Sequence, residues 1–594
     1  MCGIMGYAGQ RDAKDILLSG LKKLEYRGYD SAGIALSCKE GIQIFKDKGK
    51  VAALEQAEGL TDAQGTVGIG HTRWATHGVP SRKNAHPHRA GRVVLVHNGI
   101  IENEAKLKAE LAEQGKHPVS DTDTEIAAMI LDNLYEGDPL TAVAQATACL
   151  EGSYALGILF EDHPQTLYAV RKDSPLIIGR GKTENFIASD IPAILEYTSQ
   201  YQLLEEREIA VLNGSSVTFY TVDGKEIQKE ILTADQSAKS AEKDGFAHFM
   251  AKEIHEQPEA IRATLARYCS GNTLFHGETF QIGGTIRIVA CGSAYHAGLL
   301  GKYAIETLAG IPATAEIASE FRYNDPLLSK EDLVVVISQS GETADSVAAL
   351  RLANKIGIPT LAIVNVWGST LAREADRVLY TAAGPEISVA TTKAYTCQVI
   401  LLYLLALRLA QQNGRETEDS LRCLLSLPAL LEETLRREEK CQEMATAFKD
   451  VHRLFFIGRG QDYALACEGS LKLKEISYIH SEAYAAGELK HGTISLIEEG
   501  IPVIALLTDR KRLSKTVSNM KEVRARGARV LAITYEDTDT QGAADALLTL
   551  PPCSPLEAPA AAAVLLQLLA YHTAVERGND VDQPRNLAKS VTVE

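Results

Sequence analysis

The stretch Leu333-Val334-Val335-Val336-Ile337-Ser338-Gln339-Ser340-Gly341-Glu342-Thr343-Ala344 decides how this chain of 594 residues is built. Five apolar residues in a row read as a short strand covered on both faces, the kind found in parallel sheets. A polar turn follows at once, and a helical pattern opens at Ala344. Strand, turn and helix in that order predict a parallel sheet flanked by helices. Hydroxyls and backbone N–H groups converge in the turn, at the positive end of a helix dipole. Gly341 lets the backbone come close to a ligand. Ser338, Gln339, Ser340 and Thr343 therefore read as a loop for a phosphomonoester. A hydroxyl-rich helix cap is the plainer alternative.

Outward from this stretch the same grammar repeats. Ile286–Ala290 and Thr360–Val364 are further apolar runs followed by turns and helical segments. A second set then appears, at Leu454–Ile457, Pro502–Leu507 and Leu531–Ile533. The offsets are 166 residues from Gly292 to Gly458, 170 from Ser338 to Thr508, and 170 again. Three matches in order mark two copies of one α/β unit within residues 275–580. Where the first copy has its loop, the second has Thr508-Asp509-Arg510. An acidic residue there disfavours phosphate, so one phosphate site per chain is expected. A lead-in helix is expected over 246–268.

Residues 1 to about 230 follow another rule. Short apolar runs such as Val67–Gly70 and Val93–Val96 are broken by glycine, with helical patterns at Ala13–Leu24, Glu104–Gln114 and Thr124–Tyr135. This half predicts two packed sheets with covering helices. A polar linker is expected at 233–245. The last 14 residues, 581–594, are polar and lack the periodicity of a docking helix, so composition alone makes them a disordered tail.

With 61 basic against 77 acidic residues the net charge is −16, which argues against nucleic acid or an anionic membrane as partner. Ten cysteines are scattered without a CxxC pair, which fits a reducing cytosol and neither a disulfide framework nor a zinc site. The N-terminus shows no signal pattern. Cys397–Ala410 and Ala558–Val575 are apolar but read as core helices, since a span needs about 20 strongly apolar residues.

Two groups of residues carry chemistry. Glu468, Lys472 and Glu475 share one helix face at i, i+4 and i+7, with a solvated ion pair as the alternative. His491 follows in the run Ala485–Gly492. Enolisation of a sugar needs a positioned base and acid, which Glu and His supply. The other group starts at Cys2. Once Met1 is removed, this residue would carry both a thiol and a free α-amine. A thiol near pKa ~8.5 beside an amine near ~8 can exchange its proton at neutral pH, so the amine can serve as the base of a nucleophile. Attack on a carboxamide also needs an oxyanion hole, which Asn98 and Gly99 can form. Arg73 suits a carboxylate as a fork, and Asp123 suits an ammonium. Each residue has a plainer reading: Asn98-Gly99 as a turn, Arg73 as a surface residue, Asp121 and Asp123 as helix caps.

Jointly, Cys2, His71–Gly78, His97–Gly99 and Asp121–Glu125 resemble the class II glutamine amidotransferases. The loop Ser338–Thr343 in a tandem repeat resembles sugar isomerase domains. With Leu471–Ile479, Glu482–His491 and Asp582–Ser590, nearly the whole chain is similar to the isomerising glutamine–fructose-6-phosphate aminotransferases. The resemblance implies an α+β, N-terminal-nucleophile αββα sandwich at residues 1–232. The linker and two α/β sugar isomerase domains with parallel sheets follow, at 246–425 and 426–580, and then a catalytic tail. It implies that Trp74 and His77 close a glutamine pocket, and that Trp74 gates an ammonia channel. His86 and His97 are then structural. Ser293 joins the phosphate site, although Ala294 stands where a serine is common. Val389 and Thr391 lie beside the sugar, Thr391 replacing a frequent serine, and Thr493 stands where proline is usual. His491 opens the ring across a dimer interface, Glu475 moves a proton between C1 and C2, and Lys589 forms a Schiff base. Lys472 and Glu468 assist. Glutamine and fructose 6-phosphate are the implied partners of a cytoplasmic homodimer, with no cofactor, metal, nucleic acid or membrane.

The mature chain is expected to begin at Cys2. Its intact mass should fall short of the full sequence by one methionine residue. A retained Met1 would lock the proposed amine base inside a peptide bond and sink the glutaminase reading.

Overall fold

The strand Gly3–Ala8 shows how the N-terminal half is layered. In this computed structural model, which describes residues 2–234 and 243–592, all six of its residues are buried. Successive side chains of a strand point to opposite faces. Ile4 and Ala8 enter a core with Ile69, Val94, Val96, Ala155 and Ile187. Met5 and Tyr7 pack instead on Ile16, Leu17 and Leu21 of the helix Ala13–Leu24. The strand Val93–Ile101 alternates in the same way. Val94 and Val96 face the first sheet, while Val93 and Leu95 pack with the helices Glu104–Glu113, Asp123–Leu134 and Pro139–Cys149. The layers are thus helix, sheet, sheet, helix, with eight strands in one sheet and seven in the other. Every recorded pairing of Gly3–Ala8 is antiparallel, to Asn185–Ala188 on one side and Val67–Arg73 on the other. Thr122, rather than Asp121 or Asp123, caps Asp123–Leu134 by accepting the Glu125 N–H.

Backbone contacts divide the chain into two units, Met1–Ala241 with Ala588–Glu594, and Glu242–Leu587. Most of the expected linker, 235–242, lies outside the described residues.

The second unit contains two five-stranded parallel sheets of identical strand order. In the first, Ala313–Ile317 and Leu333–Ser338 flank Ile286–Ala290, and Thr360–Val364 and Arg377–Tyr380 continue outward. In the second, His480–Ala485 and Pro502–Leu507 flank Arg453–Gly458, followed by Arg529–Tyr535 and Ala546–Leu550. The chain therefore leaves the first and third strands of each copy in opposite directions. A crevice opens at such a switch point beyond the strands' carboxyl ends, and ligands collect there. In the first copy the loop Ser338–Thr343 and the pair Gly292-Ser293 border it.

The two copies share one core. Ile286, Ile288, Val335 and Ile337 belong to the same apolar cluster as Leu454, Phe456, Ile504 and Leu506. The helices Lys393–Gln412 and Ala558–Glu576 run through that core, with 89% and 94% of their apolar windows buried. The lead-in segment forms two helices, Phe249–His255 and Gln257–Tyr268. The break falls where Pro258 sits in the first turn of the second helix. Proline is tolerated there but blocks helix continuing from behind. The polar tail is not loose where it begins. Val581 is fully buried, and the Asp582 carboxylate accepts the N–H groups of Phe249 and Met250, each at 2.9 Å.

Glu438 ties three helices of this unit. Its carboxylate meets His255 Nε2 at 3.0 Å and His572 Nε2 at 2.9 Å. Bonds from these two histidines pull its pKa from 4.5 down to about 2, and burial opposes them only in part. A depressed carboxylate pKa adds stability that is present above the unfolded value and is lost as the group protonates. The contribution should be complete above pH 4.5 and disappear as the pH falls through about 2. Glu438→Gln should flatten that part of the acid unfolding limb in denaturant titrations. An identical limb in the variant would show that this contact carries no such linkage.

Candidate active sites

Cys2 stands at the head of the strand Gly3–Ala8, held between two neighbouring strands. Its Sγ accepts the Trp74 N–H at 3.3 Å and lies 3.5 Å from the Trp74 carbonyl. Asn98 Nδ2 donates to the Cys2 carbonyl at 3.0 Å and to Ser189 Oγ at 2.8 Å. Ser189 in turn accepts the Ile4 N–H at 2.7 Å. Gly99 has φ of +138°, and a Cβ there would lie 2.0 Å from the Ser153 carbonyl oxygen, so only glycine fits. The strand Val93–Ile101 thus brings Asn98 to the Cys2 main chain, with Gly99 next to it in sequence.

Arg73 is 3% exposed. Its guanidinium donates to the carbonyls of His77 and Gly78, the latter at 2.9 Å, and ties down the loop that carries Trp74. The Trp74 ring meets Tyr29 edge-on at 6.3 Å. The Asp123 carboxylate accepts the Ile101 N–H at 2.9 Å and lies 3.9 Å from His97 Nδ1. Burial raises the Cys2 thiol above its usual pKa, opposed by the Trp74 N–H and the Arg73 charge. That differs from the ordinary thiol assumed from sequence. Four histidines line the interior behind it. His71 and His86 stack at 4.0 Å, with His88 edge-on to His86 at 5.0 Å. Burial depresses His71 to about 3 and lowers His86, His88 and His97. They are neutral hydrogen-bonding groups at neutral pH.

In the second unit the helix Gln461–Ser477 places Glu468, Lys472 and Glu475 on one face, with Glu468 and Lys472 buried and Glu475 half-buried. Lys472 is 1% exposed, with Nζ 2.6 Å from Glu475 and 3.6 Å from Glu468. Burial alone would lower its pKa, but the two carboxylates more than offset this and hold the ammonium charged. Glu468 also accepts Ser293 Oγ–H at 2.9 Å and contacts His296 Nδ1 at 2.8 Å. Ser293 thus lies on the Glu468 carboxylate at the edge of the crevice. The helix Gly292–Ala304 of the first copy is thereby tied to the acidic face of the second. His296 was not anticipated, because only this long-range contact marks it. Glu386 and Ser189 were missed for the same reason. Glu386, 5% exposed, accepts the N–H groups of Thr392 and Ala394 at 2.9 and 3.0 Å, and its charge also acts on Lys472.

The phosphate-type loop is a cluster of hydroxyls. Ser338 Oγ lies 2.9 Å from Thr343 Oγ1 and 3.5 Å from Ser340 Oγ. The Gly341 and Glu342 N–H groups donate to Ser338 and Ser340 at 3.0 and 3.2 Å. Gly341 has φ of +68°, and a Cβ would meet Ser369 Oγ at 2.1 Å. The Glu342 carboxylate is engaged by the Thr370 N–H and hydroxyl, both at 2.8 Å. The Gln339 carbonyl accepts the Asn365 N–H at 3.0 Å. Val389 is buried and donates its N–H to the Asp582 carbonyl at 3.1 Å, while Thr391 is half-buried. His491 closes the short helix Glu488–His491 and is exposed. Among the described residues no hydrogen bond or ion pair joins it to the Lys472 cluster. Lys589 falls in the segment grouped with the first unit. No three His, Cys, Asp or Glu side chains converge as metal ligands among the described residues.

Fold and site together define an amidotransferase fused to a pair of sugar isomerase domains. An SIS domain model matches residues 282–408 and 447–577, and a glutamine amidotransferase domain model matches 71–196. The chain is 50% identical, over the full length of both, to glutamine--fructose-6-phosphate aminotransferase [isomerizing] of Clostridium tetani, and 47% identical to one from Thermus thermophilus, again full length. The C-terminal domain of glucosamine-fructose-6-phosphate aminotransferase from Francisella tularensis superposes with a TM-score of 0.56 at 40% identity, covering 58% of this chain and all of that one. The chain belongs to the isomerising glutamine–fructose-6-phosphate aminotransferase family.

Removing the charge between these two carboxylates should be costly. Lys472→Met is expected to destabilise the second unit by about 3–5 kcal/mol at neutral pH, the usual penalty for breaking a buried pair. Denaturant unfolding reads this directly. An unchanged midpoint would mean the cluster is solvated rather than buried.

Proposed function

We propose that the chain transfers the amide nitrogen of glutamine to fructose 6-phosphate and isomerises the product, giving glutamate and glucosamine 6-phosphate. The observation that carries this reading is the pairing, in one chain, of a Cys2–Asn98 site with a hydroxyl loop and a Glu–Lys–Glu face.

In the first half, Cys2 Sγ attacks the carboxamide carbon of glutamine. The α-amine freed by removal of Met1 takes the thiol proton. The Asn98 amide and the Gly99 N–H receive the oxyanion as it forms. Arg73 takes the substrate carboxylate, Asp123 its ammonium, and Trp74 and His77 cover the pocket. The C–N bond breaks, ammonia leaves, and water hydrolyses the Cys2 thioester to glutamate. The ammonia is then used within the protein rather than released.

In the second half, Ser338, Gln339, Ser340, Thr343 and Ser293 hold the phosphate, with Val389 and Thr391 beside the sugar. His491 of a second subunit opens the ring, which makes a homodimer the working form. The Lys589 amine condenses with the C2 ketone and releases water. Ammonia then displaces the lysine and leaves its nitrogen on C2. The Glu475 carboxylate takes a proton from C1 and returns it to C2, completing the isomerisation. Lys472 positions Glu475, and Glu468 anchors Lys472. The enzyme works in the cytoplasm.

Purified protein given glutamine and fructose 6-phosphate should form glucosamine 6-phosphate and glutamate in equal amounts. Cys2→Ala should lose glutamine hydrolysis. Glu475→Gln should keep hydrolysis and lose product formation by about 10²–10⁴-fold, the range for a removed general base. Absence of product from the unmodified enzyme, or full activity in Glu475→Gln, would overturn the assignment.

A further inference from the structure

The crevice of the second copy holds a side chain of the protein itself. Asp462, in the first turn of the helix Gln461–Ser477, is 1% exposed. Its two oxygens accept the Thr508 N–H at 3.1 and 3.0 Å, and one also accepts the Asp509 N–H at 3.0 Å. The Thr508 hydroxyl donates to the same carboxylate. Two backbone N–H groups and a hydroxyl at a strand's carboxyl end are what a bound phosphate receives. The corresponding place in the first copy offers the clustered hydroxyls of Ser338, Ser340 and Thr343.

Asp509 and the two arginines of the second copy's loop are already paired. Asp509 is engaged elsewhere, by Arg512 and by the Lys511 N–H at 3.0 Å. Arg510 is paired with Asp537 at 3.0 Å. Both arginines of the loop are thus neutralised by their own carboxylates. The first strands end at Ala290 and Gly458, and the left-handed glycines Gly292 and Gly460 follow them. The structural equivalent of Gly292 is therefore Gly460 rather than Gly458. This pairs Tyr295 with Tyr463 and sets Ala294 opposite Asp462. The first copy has a methyl group where the second has a carboxylate. Burial pushes the Asp462 carboxyl up to about 6, with its bonds to Thr508 and Asp509 opposing.

We propose that Asp462 closes the second copy's anion site from within and so restricts sugar phosphate to the first copy, which Ala294 leaves open. The proposal rests on reading Ser338–Thr343 as the phosphate loop, and the experiment separates the two. Full-length protein is dialysed to equilibrium against inorganic phosphate at pH 8. The unmodified chain should bind one phosphate, lost in the double variant Ser338→Ala, Thr343→Ala; no binding at all would overturn the loop reading itself. Asp462→Ser should bind a second phosphate that survives the double substitution. A folded Asp462→Ser protein that still binds one would overturn the role of Asp462 alone. The reciprocal variant decides the matter should Asp462→Ser fail to fold. Ala294→Asp should weaken phosphate binding and raise the KM for fructose 6-phosphate by about 100-fold or more, through like-charge repulsion at close range, whereas neutral Ala294→Asn should change both far less. Unchanged affinity in Ala294→Asp would overturn the proposal.

Discussion

The ammonium of Lys472, enclosed between Glu475 and Glu468, is the interaction on which the sugar half depends. An isolated charge in that position would be expelled or neutralised. Here two carboxylates from the same helix face compensate it, and each has a further task. Glu475 is left at the open end of the row. Glu468 reaches across to Ser293 and His296 and thereby fixes the helix that begins at the first copy's crevice. One buried charge therefore links the acidic helix face of the second copy to the helix that begins at the first copy's crevice. Replacing such a cluster with apolar side chains often leaves stability unharmed, so stability is a weak reason for its presence. Positioning is the better one.

The N-terminal site solves a different problem. The second residue of a chain would ordinarily share the mobility of a terminus. The strand Gly3–Ala8 removes that freedom by pairing with Val67–Arg73 from Gly3 onward and with Asn185–Ala188 from Met5. Arg27 Nε adds a third hold by donating to the Cys2 carbonyl at 3.1 Å, beside the bond from Asn98. Burial lowers the pKa of the stacked histidines behind and keeps them uncharged at neutral pH.

How much of this was legible in the sequence follows from where each signal resides. Central parallel strands print continuous apolar runs, so Leu333–Ser338 and its repeat were plain. The edge strands Ala313–Ile317 and Arg377–Tyr380 were not, because they are partly exposed and mix polar with apolar residues. The spacing of Glu468, Lys472 and Glu475 gave their shared face, but only the fold shows that Glu468 and Lys472 on it are buried. Ser189, His296 and Glu386 act through partners distant in sequence, and no local pattern marks them. Asp582 belongs with these: a polar residue in a featureless tail, it becomes a helix cap only through a partner more than 300 positions away. The second copy's loop showed its own aspartate, Asp509, in the local sequence, whereas Asp462 reaches it from a position 46 residues away.

The apolar cluster common to both isomerase copies has a consequence for their history. Duplicated units that merely sit side by side can drift apart, lose one member or be recut. These two cannot, because parting them would strip the inner faces of both sheets. Neither copy can be discarded without exposing the core of the other. Each copy is the other's scaffold, and a substitution in the shared cluster reaches both sheets at once.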